Sequence, residues 1–144
     1  NSKEKITLVI NRPKKKEGLK AVNIKVKGVK IISDMYKKDR SQIQQLHVCY
    51  TLLSNSYIKQ GTKKIYIQAI DPQNQIISNA SVLLGENSTS AFAYSAVSEL
   101  FYANQDIDAC VYLNLNKNSA IKGEYIVNIY CDSLKIGTST FDYR

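Results

Sequence analysis

From Gly123 onward the chain reads Gly-Glu-Tyr-Ile-Val-Asn-Ile-Tyr-Cys-Asp-Ser-Leu-Lys-Ile-Gly, and its alternation constrains the fold more than any other feature. Tyr125, Val127, Ile129 and Cys131 share one parity, while Glu124, Asn128 and Asp132 share the other. Successive side chains of a strand point to opposite faces, so a period of two marks a half-buried strand. Asp132-Ser133 reads as a two-residue turn, and Leu134 to Phe141 resumes the extended pattern. The segment is therefore expected to be a closing β-hairpin. Residues 106–116 carry the same signal: Ile107, Ala109, Val111, Leu113 and Leu115 alternate with Asp108, Cys110, Tyr112, Asn114 and Asn116.

The rest of the chain is weaker in pattern but similar in kind. Ile6, Leu8 and Ile10 predict a short strand over 3–10, followed by a charged connector with Pro13 and Gly18. Over 19–33, Val22, Ile24 and Val26 alternate with Asn23, Lys25 and Lys27; parity then switches at Gly28, which predicts a β-bulge or bend there. Residues 34–44 read as a charged loop. Residues 45–54 fit a strand face (Leu46, Val48, Tyr50, Leu52) and also a helical stripe (Ile43, Leu46, Tyr50, Leu53). Residues 63–70 predict a strand with Ile65, Ile67 and Ala69 inward. Asp71-Pro72-Gln73-Asn74 is turn chemistry, with 75–84 expected to complete that hairpin. Residues 91–103 again fit either a strand or a helix. The sum is an all-β chain of about 7–9 strands, an antiparallel sandwich with a closed barrel as the alternative. A basic strand and connector, 1–18, precede the sandwich proper, 19–144.

The chain has 144 residues, enough for one sizeable core. It opens without Met and reads as a piece of a longer protein. Its net charge of +8 is concentrated at one end: residues 1–40 hold thirteen Lys or Arg against four Asp or Glu, and the remainder is close to neutral. Three cysteines, Cys49, Cys110 and Cys131, lie far apart with no C-x-x-C pair, which excludes a zinc ribbon or thioredoxin motif. They permit one disulfide in any of three pairings; the plainer expectation is three reduced thiols serving as small strand residues.

These residues carry a resemblance. The stretch from Gly123 to Gly137 resembles the final hairpin of bacterial immunoglobulin-like domains, with their Gly-x-Tyr-x-Val-x-Ile-Tyr pattern, tight turn and Ile-Gly pair. Ser133 stands where that pattern has Gly. Leu46 to Tyr50, Gly61 to Ile67 with Asp71-Pro72, and the segment from Asp106 are similar to earlier strands of such modules. The set also resembles the C-terminal module of envelope-anchored coiled-coil proteins. The resemblance implies an immunoglobulin-like sandwich in the cell envelope, periplasmic or extracellular, used for contacts rather than chemistry.

Candidate chemistry is sparse. His47 is the only histidine and shares a strand parity with Cys49, but two ligands are too few for zinc, and no third group orients a nucleophile. Asp106 and Asp108 share a parity without a calcium-type loop around them. No Gly-rich phosphate loop exists. No enzyme activity, cofactor or metal is therefore expected. The basic stretch remains: Arg12, Lys14, Lys15, Lys16, Lys20, Lys25 and Lys27 are the candidate contact residues for a partner or polyanion. Residues 1–35 hold no Tyr, Phe or Trp to stack bases, which argues for a protein partner over nucleic acid. Membrane association would come through an upstream anchor, and self-association is open. A carbohydrate-binding module is a further alternative, with Tyr66, Tyr102, Tyr112 and Tyr130 as the available stacking rings.

Overall fold

The computed structural model describes residues 18–30, 43–78, 80–82, 92–115 and 121–144. The strand expected over 3–10, the connector after it and most of the 34–44 loop lie outside these residues. Among the described residues there is no helix. Nine strands follow one another: β1 (Lys20–Val29), β2 (Gln45–Leu53), β3 (Gly61–Ile70), β4 (Ala80–Val82), β5 (Phe92–Tyr94), β6 (Ala96–Tyr102), β7 (Ile107–Asn114), β8 (Gly123–Cys131) and β9 (Leu134–Tyr143). Both segments that also fitted a helix are strands.

Two antiparallel sheets form the sandwich, β1-β2-β7 and β6-β3-β8-β9, and β4 pairs with β5 in a separate ribbon. Taking β1, β2 and β7 as strands A, B and E, and β9, β8 and β3 as G, F and C, the order is that of an immunoglobulin-like Greek key. A second hallmark agrees. Tyr125, near the start of β8, donates its hydroxyl to the Ile121 carbonyl four residues upstream at 2.7 Å, as in a tyrosine corner. The core between the sheets is built by the predicted parities: Leu46, Val48, Tyr50 and Leu52 face Ile65, Ile67, Val127 and Ile129, all essentially inaccessible. Tyr102 closes one end. Its hydroxyl accepts from the Asn55 amide and donates to the Asn55 carbonyl, both at 2.7 Å.

Three local expectations need correction. The bulge of β1 is not at Gly28. Register against β2 slips between Val22 and Lys25, and Asn23 sits at φ 53°. Asn tolerates the left-handed region because its short side chain bonds locally, so no glycine was required to mark the spot. As a result Val22 faces away from the core, opposite Thr51. Gly28 instead holds an inward slot, where a Cβ would meet Ile43 and Phe141 at 2.8 and 3.1 Å. Residues 75–78 only begin a hairpin with β3, through the Ile70–Ile76 bridge and the bonds from the Asp71 amide to the Gln75 carbonyl and from the Ile77 amide to the Ala69 carbonyl; Ala80–Val82 then pairs with β5 as β4, and residues 79, 83 and 84 lie outside the described ones.

The third correction concerns β3, whose outer face is not wet. Tyr66 and Gln68 are buried along with their inward neighbours because β5 lies over them. Phe92 and Tyr94 pack on Tyr66, and Phe92 meets Tyr130 edge-on at 4.6 Å. Beneath them runs a polar row: Thr138 donates to Asn128, Asn128 to Gln68, and Gln68 to the Ala93 carbonyl. Each buried amide thereby keeps a partner, which its desolvation demands.

The closing turn forms despite Ser133. Asp132 and Ser133 adopt φ of 52° and 65°, the two positive values of a type I′ turn.

Candidate interaction face and its disulfide

The slip at Asn23 decides what the outer face of β1-β2-β7 displays. Lys20 and Lys25 have opposite parity in sequence, yet the extra residue brings Lys20, Val22, Lys25 and Lys27 to one side. On that side Lys25 stands opposite Cys49 and Lys27 opposite His47. Across β2, His47 meets Tyr112, Cys49 meets Cys110, Thr51 meets Asp108 and Gln45 meets Asn114. Two parallel rows result, Lys25–Cys49–Cys110 and Lys27–His47–Tyr112, running from lysine through the centre strand to β7. Arg12, Lys14, Lys15 and Lys16, the remaining candidate contact residues, lie outside the described residues.

Each pair of β2 and β7 residues opposed on this face interacts. Thr51 donates to the Asp108 carboxylate at 2.6 Å, and Gln45 donates to Asn114 at 2.8 Å. Asp106, two residues before, accepts from the Ser54 amide at 2.8 Å. The two acids singled out from the sequence thus tie β7 to β2 separately and do not form a joint site. His47 and Tyr112 stack with ring centroids 4.2 Å apart and planes 19° from parallel. Tyr112 remains 57% exposed.

Cys49 and Cys110 are joined in a disulfide, and Cys131 is the buried free thiol. The expectation of three reduced cysteines is therefore overturned. The physical reason is register: the two residues are directly opposed, with Cα atoms 4.0 Å apart, as in the closer of the two antiparallel pairings. Sixty-one residues separate them in sequence, so no spacing rule reveals the pairing. Burial pushes the Cys131 thiol up to about 11, with Asp132 adding to the rise. A nucleophile needs the opposite shift.

The same register supplies what the sequence did not. Cys110 arrives from β7 beside His47 and Cys49, and the three ligand atoms lie within 4.8 Å of one another. His47 Nε2 is 3.7 Å from Cys49 Sγ.

The two ends of the sandwich differ. At one, β1 packs on β9 so closely that a Cβ on Gly137 would stand 2.8 Å from Ile24 and 2.9 Å from the Ala21 carbonyl. At the other, β6 and β7 are likewise the last strands of their sheets among the described residues, but they stand apart. A cleft of about 310 Å³ opens between them, lined by Ile77, Ser95, Ala96, Val97, Tyr112 and Leu113. Val97 and Phe101, on the outer face of β6, are 40% and 65% exposed. Of the four tyrosines considered for sugar stacking, Tyr102 is fully buried and Tyr66 nearly so. Neither can present a ring to a glycan.

The chain belongs to a family described as a domain of unknown function, DUF8428, whose model matches residues 22–144. No curated protein matches it. Among solved structures it is similar to the Pseudomonas fluorescens alkylpurine DNA glycosylase AlkC bound to DNA containing an abasic site analog. That match has 10% identity and a TM-score of 0.46, and covers 88% of this chain and 30% of that one. It is also similar to a β-glucosidase from Kluyveromyces marxianus, at 8% identity and a TM-score of 0.43, over 85% of this chain and 14% of that one. An immunoglobulin-like protein from Pseudomonas aeruginosa aligns at 9% identity and a TM-score of 0.38, over 89% of this chain and 98% of that one. The chain spans less than a third of the first two proteins.

Proposed function

We propose that this DUF8428 domain is a non-catalytic interaction module of a larger envelope-associated protein. The observation that carries the reading is the inequality of the two ends of the sandwich. All four outer strands are sheet edges among the described residues, but β1 and β9 are packed tightly together at Gly137, whereas β6 and β7 stand apart across a cleft, each with a free edge beside exposed Val97, Phe101 and Tyr112. Unpaired strand edges are templates for an added strand, and natural proteins usually blunt them. Glu99 is the only charge on the outer face of β6, so little guards this one.

The lysine rows give the second contact. Lys25 and Lys27 border the same face that ends at Tyr112 on β7, so a partner seated at the open edge would reach both. Complementary acidic groups on that partner would speed association more than they tighten it. The disulfide supports placement outside the reducing cytoplasm, where such bonds persist.

Site-specific photo-crosslinking in cells of the native source tests the reading. A photoreactive residue at Val97, Phe101 or Tyr112 is expected to trap a discrete adduct, and one at Thr140 on β9 is not. K25E/K27E should weaken the adduct and make it less sensitive to salt. Equal labelling at all positions, or none at the β6–β7 edge, refutes it.

A further inference from the structure

The geometry points to a metal site concealed by the Cys49–Cys110 disulfide: once reduced, the two cysteines and His47 form a Cys₂His centre for a thiophilic d¹⁰ ion such as Zn²⁺. Zinc bound by two thiolates and an imidazole, with a fourth position open, is an established coordination type. The inference does not depend on the interaction reading above.

Three observations carry it. First, the ligand atoms are already gathered, all within 4.8 Å of one another. Tetrahedral zinc with bonds of about 2.3 Å to sulfur and about 2.0 Å to nitrogen sets its ligand atoms roughly 3.5–3.8 Å apart. His47 Nε2 and Cys49 Sγ stand at 3.7 Å, inside that range before any metal arrives. When the S–S bond is cleaved, the β2–β7 ladder on both sides keeps the two backbones opposed, so the sulfurs can rest side by side at ordinary non-bonded contact. That contact, too, is close to the ligand spacing of the tetrahedron.

Second, the ring is held. Stacking on Tyr112 fixes the imidazole plane, and Nε2 is the nitrogen turned toward Cys49. Tyr112 acts as a positioning residue, since rigid ligands bind with less ordering cost. Third, the site is accessible. Cys110 is exposed, and His47 and Cys49 are half-buried, so a reductant and then a metal can reach them and the fourth position faces solvent.

The charges allow it. Lys25 and Lys27 flank the site and would repel a bare dication. Two thiolates cancel the charge of Zn²⁺, however, so the loaded centre presents no net charge to the lysines. The chemistry balances as follows. A dithiol reductant transfers two electrons to the S–S bond and leaves as its own disulfide, giving two thiols. Zinc binding then releases one proton from each thiol, and neutral His47 donates its Nε2 lone pair. The oxidised sulfurs are not thiolates and offer no such site, so binding is gated by redox state.

The test uses the whole chain carrying Cys131→Ser, so that only two thiols remain. Protein reduced with a phosphine is titrated with Zn²⁺ against a chromophoric chelator, and with Co²⁺ to read thiolate-to-metal charge-transfer bands. One equivalent should bind after reduction and none before it. His47→Ala should weaken binding by about 100-fold or more, since even outer partners of a site are worth 10–100-fold. Cys49→Ser/Cys110→Ser should abolish it. If reduction unfolds the domain, added Zn²⁺ must restore the strand signal in circular dichroism. The inference is overturned by equal binding to oxidised protein, by a His47→Ala variant that binds as tightly, by no binding to the folded reduced form, or by failure of Zn²⁺ to refold an unfolded one.

Discussion

Reducing the Cys49–Cys110 bridge should lower stability through the unfolded chain rather than through the native contacts. The bridge lies on the outer face of β1-β2-β7, while the core side chains of β2 (Leu46, Val48, Tyr50 and Leu52) point the other way. Breaking it removes no packing from the core. What it releases is a loop of 61 residues in the denatured state. Chain-entropy reasoning assigns about 4 kcal/mol to a closure of that length. For a chain of this size about 0.3 kcal/mol/K accompanies unfolding, so the melting temperature should fall by about 13 °C. Domains of this kind are stable by about 5–15 kcal/mol, which leaves the reduced form folded at room temperature. The assay is thermal denaturation with and without a phosphine reductant. A Cys49→Ala/Cys110→Ala variant should already melt at the lower temperature and ignore the reductant, and a Cys131→Ala variant should still respond. An oxidised protein whose melting is unmoved by reduction refutes the reasoning, as does loss of native circular dichroism at room temperature after reduction.

Two Tyr→Phe substitutions in one core should diverge. Tyr102→Phe removes both hydrogen bonds of a buried hydroxyl, from the Asn55 amide and to the Asn55 carbonyl (which the Ile58 amide also holds), and should cost about 1–3 kcal/mol, whereas the Tyr50 hydroxyl meets no partner at full hydrogen-bond geometry among the described residues, only a weaker interaction with Ser98, so Tyr50→Phe should be close to neutral. Urea titrations read both, and a larger loss at Tyr50 would contradict the assignment. Stability should also fall at alkaline pH. Burial raises Cys131 from 9.0 to about 11 and Tyr50 from 10.0 to about 12, with Cys131 adding to the latter and Ser98 opposing it. The neutral forms are those the fold prefers, so their contribution is whole below the unfolded values and disappears as pH climbs through the folded ones. A Tyr50→Phe/Cys131→Ala variant should show a shallower decline between pH 9 and 12, and an unchanged slope would count against it. Ser133→Gly relieves a left-handed serine in the closing turn and should stabilise by up to about 1 kcal/mol, read as a shift in urea midpoint. Gly137→Ala sets a methyl 2.9 Å from the Ala21 carbonyl and should cost about 1–3 kcal/mol; a neutral outcome would mean that the β1–β9 corner is loose.

Where one strand face met the core and the other met water, the sequence was readable. β7 and β8 follow their alternation closely, and the inward parities of β2 and β3 are the predicted ones. Failures arose where a third body intervened. Tyr66, Gln68 and Asn128 looked like solvent-facing positions because nothing in their own segments announces that β5 will cover them. The bulge in β1 escaped because Asn23 reaches positive φ without a glycine, and a glycine was the signal sought. Gly28 misled for the converse reason: it is small because Ile43 and Phe141 crowd it, not because the backbone turns. Apart from the bulge at Asn23, which is local, these misses concern relations between segments distant in sequence, which local periodicity does not encode.

The candidate site follows the same logic and also explains which cysteine stays free. In antibody-type sandwiches the bridge joins strands B and F through the core. Here the B strand, β2, carries Cys49 and the F strand, β8, carries Cys131, so a bridge of that type is open by strand identity alone. Parity forbids it. Cys49 shares the outward parity of His47 and Thr51, whereas Cys131 shares the buried parity of Tyr125, Val127 and Ile129. Cys49 therefore pairs within its own sheet, with the outward-facing Cys110 directly across the ladder. A bridge sealed between sheets would be inert to reductants and could never expose its sulfurs to an ion. A bridge on an outer face, beside an oriented imidazole and on an edge strand, remains open to both. One step of parity on β2 thus separates a purely structural crosslink from one whose chemistry can respond to its surroundings.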